Sequence, residues 1–426
     1  MQTAPINPDD PRGVTALVSL VFLGFCLVRL NIPSTPYFDE VHYLPAAREM
    51  FGEWMWKNRE HPMLGKQLLA LGMAIFGDNA WGWRIMPVLF GTLAVFAGTR
   101  AMWHARGSAF ASIAFGILLA TGFHLFVHAR IAMLDIFMVA FFAVALWQCA
   151  AAIHQPETGR WRLAIAGIAL GLAMGSKWNV LLLAALPGIG FFAGRLMAGR
   201  RRLFTSRRGS PVPGISLLEA ALLLGALPLF VYWLTFWPAY LAPFQPLEPG
   251  GFVAYHREVL DLQASVTQPH PYQSNWPQWV ANWRAIWYLY EPIDGAQRGI
   301  MLIGNPATML LGLPALAWAA WSGIMHRRWD ALALVVMYLV SVGMWAVVNK
   351  PIQFYYHYLL PSCFLLGALA LLLDDLRNLG GFWRWLAWGT LALSAGMFAW
   401  FYPILSAAEL EGPRSFAFWM WTDSWR

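Results

Sequence analysis

V-T-A-L-V-S-L-V-F-L-G-F-C-L-V-R-L, residues 14–30, runs straight into N-I-P-S-T-P-Y-F-D-E-V-H-Y, residues 31–43. The first stretch is apolar over the length of a bilayer crossing, which takes roughly 17–25 residues as a helix. The second carries two adjacent carboxylates, Asp39 and Glu40. The residues before position 14 are polar, include Asp9 and Asp10, and lack both a basic leader and a small-residue cleavage site. Residues 14–30 therefore read as a retained first span and not as a removed signal peptide.

The same pattern repeats outward along the chain. Of its 426 residues 59% are hydrophobic and only 12% are charged, too little polar surface to cover a soluble protein of this size. Eleven spans are expected, at 14–30, 83–103, 108–125, 131–152, 162–178, 180–197, 216–238, 300–323, 331–348, 356–373 and 384–403. The expected fold is an all-α polytopic membrane protein in a single unit, 1–426. Residues 67–77 are apolar but too short to cross, which places them at the interface. Cys26, Cys149 and Cys363 each sit in an apolar run and read as small hydrophobes, not as a disulfide framework.

Orientation rests on one loop. Arg195, Arg200, Arg201, Arg202, Arg207 and Arg208 crowd a short connection between two spans, the mark of a cytoplasmic loop facing anionic lipid. The N-terminus is then cytoplasmic, and the C-terminus lies outside. The bias does not extend to chain-wide totals, because Lys57, Lys66, Lys177 and Lys350 all fall on the outer side. The net charge of +7 does not point to nucleic acid, since basic residues are not interleaved with exposed aromatics on a soluble face. Two long outer segments, 31–82 and 239–299, are rich in Trp, Tyr and Pro and are expected to form interfacial helices and turns. Trp419, Trp421 and Trp425 in the outer tail are expected at the interface as well.

The chemistry-bearing residues gather on that outer side. A carboxylate at the membrane face, Asp39 or Glu40, is suited to deprotonating a hydroxyl; the same pair equally suits the cap of a helix beginning near Val41. His61 and Lys66 close the first outer loop, Arg84 and Arg130 open two spans, Lys177 ends one, and Lys350 and His357 flank a turn. Singly, each of these cations reads as an interfacial anchor. Together around two acids they suit a lipid-linked phosphate. Asp135, five residues into the fourth expected span, needs a partner cation from a neighbouring helix or a direct role.

Other signals carry less. His124 and His128 are spaced i, i+4, but no glutamate follows the first as in zinc peptidases, so no metal site is expected. Asp374 and Asp375 beside Arg377 read as a solvated helix end. No glycine-rich phosphate loop is present.

Several separated motifs resemble one family. Y-F-D-E-V-H-Y at 37–43, E-H-P-M-L-G-K at 60–66, R-I-A-M-L-D at 130–135 and S-K-W at 176–178 are similar to the protein O-mannosyltransferases, glycosyltransferase family 39, of the GT-C fold. H-P-Y-Q-S-N-W-P-Q-W at 270–279, G-N-P at 304–306 and F-Y-Y-H-Y-L-L-P at 354–361 resemble the C-terminal membrane part of the same family. The resemblance implies transfer of mannose from a polyprenyl-phosphate donor to Ser or Thr of exported proteins, inverting and without a metal or other cofactor. It implies Asp39 as base and Glu40 as support for its geometry. Arg130 becomes a candidate for holding the lipid phosphate, with His61, Lys66 and Asp135 shaping the site. Candidate partners are a translocon or a second subunit. The family's His-Pro-Pro reads His61-Pro62-Met63 here, and residues 239–299 are too short for the soluble insert of eukaryotic members. A compact bacterial member of the inner membrane, with a periplasmic site, is the expectation.

Two alternatives stay open. A lipid-phosphate-sugar transferase of the same fold could act on a glycolipid or polysaccharide, as aminoarabinose transferases do. A transporter or flippase would place polar groups near the midplane and tend to show repeats; neither is visible here.

Overall fold

The computed structural model describes residues 9–51, 55–199, 202–265, 267–348 and 350–426. The first half of the chain is a run of helices: α1 (Arg12–Leu27), α2 (Glu40–Arg48), α3 (Leu64–Phe76), α4 (Ala80–Arg106), α5 (Ala109–Ala120), α6 (Phe123–His128), α7 (Asp135–His154), α8 (Gly159–Ser176) and α9 (Leu181–Met197). Then α10 (Leu217–Ala221), a π-helical turn (Leu222–Ala226) and α11 (Leu227–Leu234) form one continuous rod. An outer layer follows, made of α12 (Trp237–Tyr240), α13 (Phe252–Ser265), α14 (Trp276–Val280) and the strands β1 (Ile286–Ile293) and β2 (Ala296–Leu302). α15 (Pro306–Met325), α16 (Trp329–Val347), α17 (Leu359–Leu379) and α18 (Gly381–Leu405) return to the bundle.

Each of the eleven expected stretches overlaps one of these helices. Among the described residues, however, eight helices are long and apolar enough to cross a membrane. α1 and α5 are shorter, and α8 opens on Arg160 and Arg162, which lowers its hydropathy. α17 is the central column, 83% of its apolar window being buried, whereas the windows of α9 and of the α10–α11 rod are 28% buried. The outward sides of the peripheral helices present Leu229, Phe230, Leu339 and Trp385 to the surroundings, as lipid-facing helices do. Close backbone approach holds the bundle: a Cβ on Gly82 would stand 1.9 Å from the Gly77 carbonyl oxygen, and one on Gly167 2.0 Å from that of Leu223 in the π-turn, so only glycine fits at either place.

Polar side chains sort to the two ends of the bundle. At one end Arg100 pairs with Asp10, Arg106 bridges Asp374 and Asp375, Arg328 reaches Asp375 and Asp330, and Glu219 receives Arg160 and Arg207. Asp374 is therefore not a solvated helix end; it is buried between Arg106 and Ser108. Arg195 does not face lipid either: it is wholly buried and donates to the carbonyls of Arg208, Val212 and Ile215, folding the arginine-rich loop onto itself. Arg200 and Arg201 lie outside the described residues.

At the opposite end the long second segment departs from the expected helices and turns. β1 and β2 form an antiparallel hairpin with Ile286 opposite Leu302 and Ile293 opposite Ala296. Asp294 and Gly295 make its turn, both at positive φ, the backbone that matches the twist of paired strands. β2 takes residues 300–302, so the span expected from 300 begins at Pro306. Trp425 is not an interfacial anchor: it is buried under the hairpin, its carbonyl receiving Trp287 and its indole donating to Asn282.

Candidate active site

The loop from α1 to α2 is fixed before any chemistry is considered. α1 ends with carbonyls that have no partner in their own helix, as every helix does. The Arg130 guanidinium covers them, donating to Cys26 at 2.5 Å, Val28 at 2.7 Å and Arg29 at 3.2 Å. Further on, the hairpin turn holds the loop, since Asp294 accepts from the Ser34 amide at 2.8 Å and its hydroxyl at 2.5 Å. Glu40 then locks the start of α2. Its carboxylate takes Arg84 Nε and Nη2, both at 2.8 Å, the Ala132 amide at 2.9 Å and the Tyr37 amide at 3.3 Å.

Asp39 differs from its neighbour. It precedes α2 but makes no capping bond. Among the described residues its carboxylate takes part in no hydrogen bond or ion pair. Burial pushes its carboxyl up, Lys177 pulls it back down, Asp135 raises it, and His42 and Lys350 lower it. The residue before it, Phe38, sits at φ +49°, where a bulky side chain costs about 1–3 kcal/mol. Its ring stacks on Tyr288 of β1, centroids 4.0 Å apart, and meets Tyr356 edge-on. Aromatic packing from the hairpin thus over-determines the strained turn that presents Asp39.

Two ammonium groups share Asp39's surroundings. Lys177 ends α8 in extended backbone, pairs with Asp135 Oδ2 at 2.5 Å and lies over the Tyr356 ring. Lys350 follows α16; burial and then Lys177 lower it to about 8. Its ammonium has no hydrogen bond or ion pair among the described residues. His61 belongs to the same face: burial first, then Lys177, Lys66 and Lys350, hold its imidazole well below its usual range. Beneath Tyr356 lies a small cavity lined by Asp135, Asn179, Ser341, Trp345 and His357. Asp135 Oδ1 is buried with no partner. His357 Nδ1 accepts from the Phe354 amide at 3.1 Å, which leaves its proton on Nε2.

The expected ring of cations therefore divides. Arg84 is wholly buried, and its five N–H groups go to Glu40 twice and to the carbonyls of Leu30, Pro33 and Thr35. It has no donor left for a phosphate. Arg130 is spent on the end of α1. Lys66 is buried too, donating to the carbonyls of Asn58 at 2.6 Å and His61 at 2.9 Å. Glu40 is enclosed and not a second base. These four build the frame, while Asp39, His61, Lys177 and Lys350 act on one another electrostatically beside the cavity that Asp135 and His357 line. Asp135 is also the first residue of α7, not a position one turn inside it. Phe38, Tyr288, Asn179 and Ser341 were not anticipated. For Tyr288 the signal was there: Asp-Gly between two alternating apolar runs is the strongest short hairpin pattern.

Among the described residues no three His, Cys, Asp or Glu side chains gather as metal ligands. His128 bonds the His124 carbonyl at 2.7 Å and approaches the Tyr288 hydroxyl at 3.4 Å. The chemical content of the region beside the cavity is thus one carboxylate, Asp39, raised by burial and without a hydrogen bond or ion pair among the described residues, in the field of two ammonium groups.

Known proteins share this arrangement of elements. Residues 60–233 match the family described as dolichyl-phosphate-mannose-protein mannosyltransferase. A polyprenol-phosphate-mannose–protein mannosyltransferase of Mycolicibacterium smegmatis is 27% identical, the match covering 99% of this chain and 94% of that protein. The similarity to protein O-mannosyltransferases thus runs along nearly the whole chain. Solved structures share the fold as well. The S. cerevisiae Pmt1-Pmt2 complex bound to the sugar donor superposes with a TM-score of 0.84 at 12% identity, over 100% of this chain and 93% of that one. ArnT from Cupriavidus metallidurans in the apo state follows with a TM-score of 0.60 at 17% identity, over 92% of this chain and 76% of that one. Both share the GT-C bundle, so this chain is a multi-span membrane protein of that fold.

Proposed function

We propose that the chain transfers a mannosyl residue from a polyprenyl-phosphate donor to Ser or Thr hydroxyls of exported proteins, with inversion and without a metal. The observation that carries the reading is the contrast at Asp39, a carboxylate without partners set against Lys177 and Lys350. Asp39 takes the proton of the acceptor hydroxyl as its oxygen bonds the anomeric carbon. The bond from that carbon to the phosphate oxygen breaks in the same displacement. The departing lipid phosphate is a monoester whose second ionisation lies near pH ~6, so it leaves as a stable anion and needs no general acid. Lys177 and Lys350 receive the charge that develops on it. Asp135 holds Lys177, and His61 and His357 complete the polar wall.

The acceptor is assigned to protein because the match to a protein mannosyltransferase runs along nearly the whole chain. The bacterial inner membrane, with the site on the periplasmic side and the N-terminus in the cytoplasm, belongs to the same reading. It is supported by the arginine-rich loop sharing the end of the bundle opposite Asp39. The test is transfer in vitro from synthetic polyprenyl-phospho-mannose to a Ser/Thr peptide, with aminoarabinose and other donors and a lipid A acceptor run alongside. Mannosyl-peptide from the first pair is the expected product. Turnover confined to a glycolipid acceptor would replace the reading with the aminoarabinose-type one.

A further inference from the structure

Lys177, Trp178 and Asn179 join α8 to α9, and their side chains divide. Lys177 pairs with Asp135, and Asn179 lines the cavity beneath Tyr356. Trp178 is held away from it. Its Nε1 donates to the Tyr232 hydroxyl of α11 at 2.8 Å. Its ring stacks on His256 of α13, 5.2 Å between centroids and 13° from parallel. The hydroxyl of Tyr232 meets His256 Nε2 at 2.7 Å, and His256 Nδ1 meets the Phe252 carbonyl at 2.6 Å. A carbonyl only accepts, so Nδ1 carries the proton and Nε2 accepts from Tyr232. The chain of bonds runs without conflict from Trp178 through Tyr232 and His256 to Phe252.

The preceding residue on α13 reaches the other wall of the site. Tyr255 donates its hydroxyl to the Arg59 carbonyl at 2.7 Å and packs against Trp56. Gln263 donates to the Glu60 carbonyl at 3.1 Å, and Glu258 pairs with Arg59 at 3.3 Å. Arg59 and Glu60 lead directly into His61. One outer-layer helix therefore grips two of the stretches that carry cationic or imidazole groups to Asp39, those of Lys177 and His61.

We propose that α13 is a strut that assembles the two halves of the site, with His256 a positioning residue that acts through Trp178 on Lys177 and Asn179. Its catalytic consequence rests on the reading that Lys177 receives the lipid phosphate. Displacement of a binding group by about 1 Å costs up to ~10²-fold in rate. His256→Ala in the full-length protein in nanodiscs is therefore expected to lower kcat/KM for mannosyl transfer on the order of tenfold to a hundredfold. Most of that loss is expected in the donor KM. His256→Gln keeps an acceptor for Tyr232 and is expected to restore most of the rate. Tyr232→Phe, which removes only the hydroxyl, is expected to behave like His256→Ala and stands in for it should the alanine variant not fold.

A second readout does not depend on the reaction. Hydrogen exchange of the backbone amides at 177–180 is expected to accelerate in His256→Ala and Tyr232→Phe and to stay at the wild-type rate in His256→Gln. Wild-type exchange together with wild-type kcat/KM in both Ala and Phe variants overturns the strut. So does an equal loss in His256→Ala and His256→Gln. Accelerated exchange in a protein that transfers no mannose to peptide leaves the strut standing and removes the proposed function instead.

Discussion

Asp39 and Glu40 are adjacent in the chain and opposite in their surroundings. Glu40 accepts four hydrogen bonds and faces a guanidinium with every donor engaged; the Asp39 carboxylate has none among the described residues. The same division runs through the cations. Arg130 and Lys66 give their donors to backbone carbonyls and Arg84 gives its own to Glu40 and to carbonyls, whereas Lys350 keeps its ammonium unclaimed among the described residues. A buried charge must be paired or hydrogen-bonded to be tolerated, so a filled partner list marks a residue that holds the fold. An ionisable group kept half-buried without partners is held there by something else, and here that is the strained turn at Phe38 with its aromatic backing. Reactivity and rigidity are thus separated by one peptide bond.

That contrast is broken most directly at Asp39 itself. Asp39→Asn removes the proton acceptor while keeping the shape, and transfer is expected to fall by about 10²–10⁴-fold with thermal unfolding of the purified protein unchanged. Full turnover in this variant would mean that the base lies elsewhere. Arg84→Met is expected to do the reverse: it leaves Glu40 buried and uncompensated and destabilises the protein by about 3–5 kcal/mol, read as a lower melting temperature. An unaltered melting curve would place Arg84 outside the frame.

The cations on the open face are sharpened by pH. Ionisation of Asp39, whose carboxyl burial holds above the usual range, makes the rate climb as pH rises from acid. Loss of the Lys350 proton, near 8, makes it fall again on the alkaline side. Lys350→Arg stays charged throughout, so the alkaline limb is expected to move upward while the acid limb stays in place. An alkaline limb that does not move would remove Lys350 from the phosphate clamp. The smallest effect is expected at the hairpin. Tyr288→Leu removes the ring stacked on Phe38, worth about 0.5–1.5 kcal/mol, and a few-fold drop in kcat with an unchanged donor KM is the measurement. A loss as large as that of Asp39→Asn would make Tyr288 more than a support.

Hydropathy placed an expected span on each of the eight helices long and apolar enough to cross a membrane, because a span must be apolar wherever lipid touches it, but it ran α5 and α6 into one. The acids at 39 and 40 and the cations near them were legible for the same reason, as rare charges at the ends of apolar runs. Their division into two groups was not. Whether Arg130 meets a phosphate or the end of α1 depends on carbonyls about a hundred residues away, which no local pattern encodes. The β-hairpin was legible but overlooked, its second strand having been absorbed into an apolar run that continues into α15. Asp374 illustrates the remaining gap: two neighbouring acids read as a wet helix end until Arg106, from a helix far earlier in the chain, arrives beside them.

Among the described residues, the ends of the chain are tied across hundreds of positions. Arg29 and Arg130 donate to Ser406, 377 and 276 residues away, and Arg298 reaches Ala407 and Glu409. The stretch that opens the catalytic loop is thus fastened by a helix that leaves the ribosome hundreds of residues later. Membrane insertion proceeds segment by segment, so the Asp39 loop is made early and is pinned only when α18 docks. During synthesis Asp39 exists long before its setting does, and a chain halted short of residue 406 would carry every candidate site residue without the clasp that aligns them.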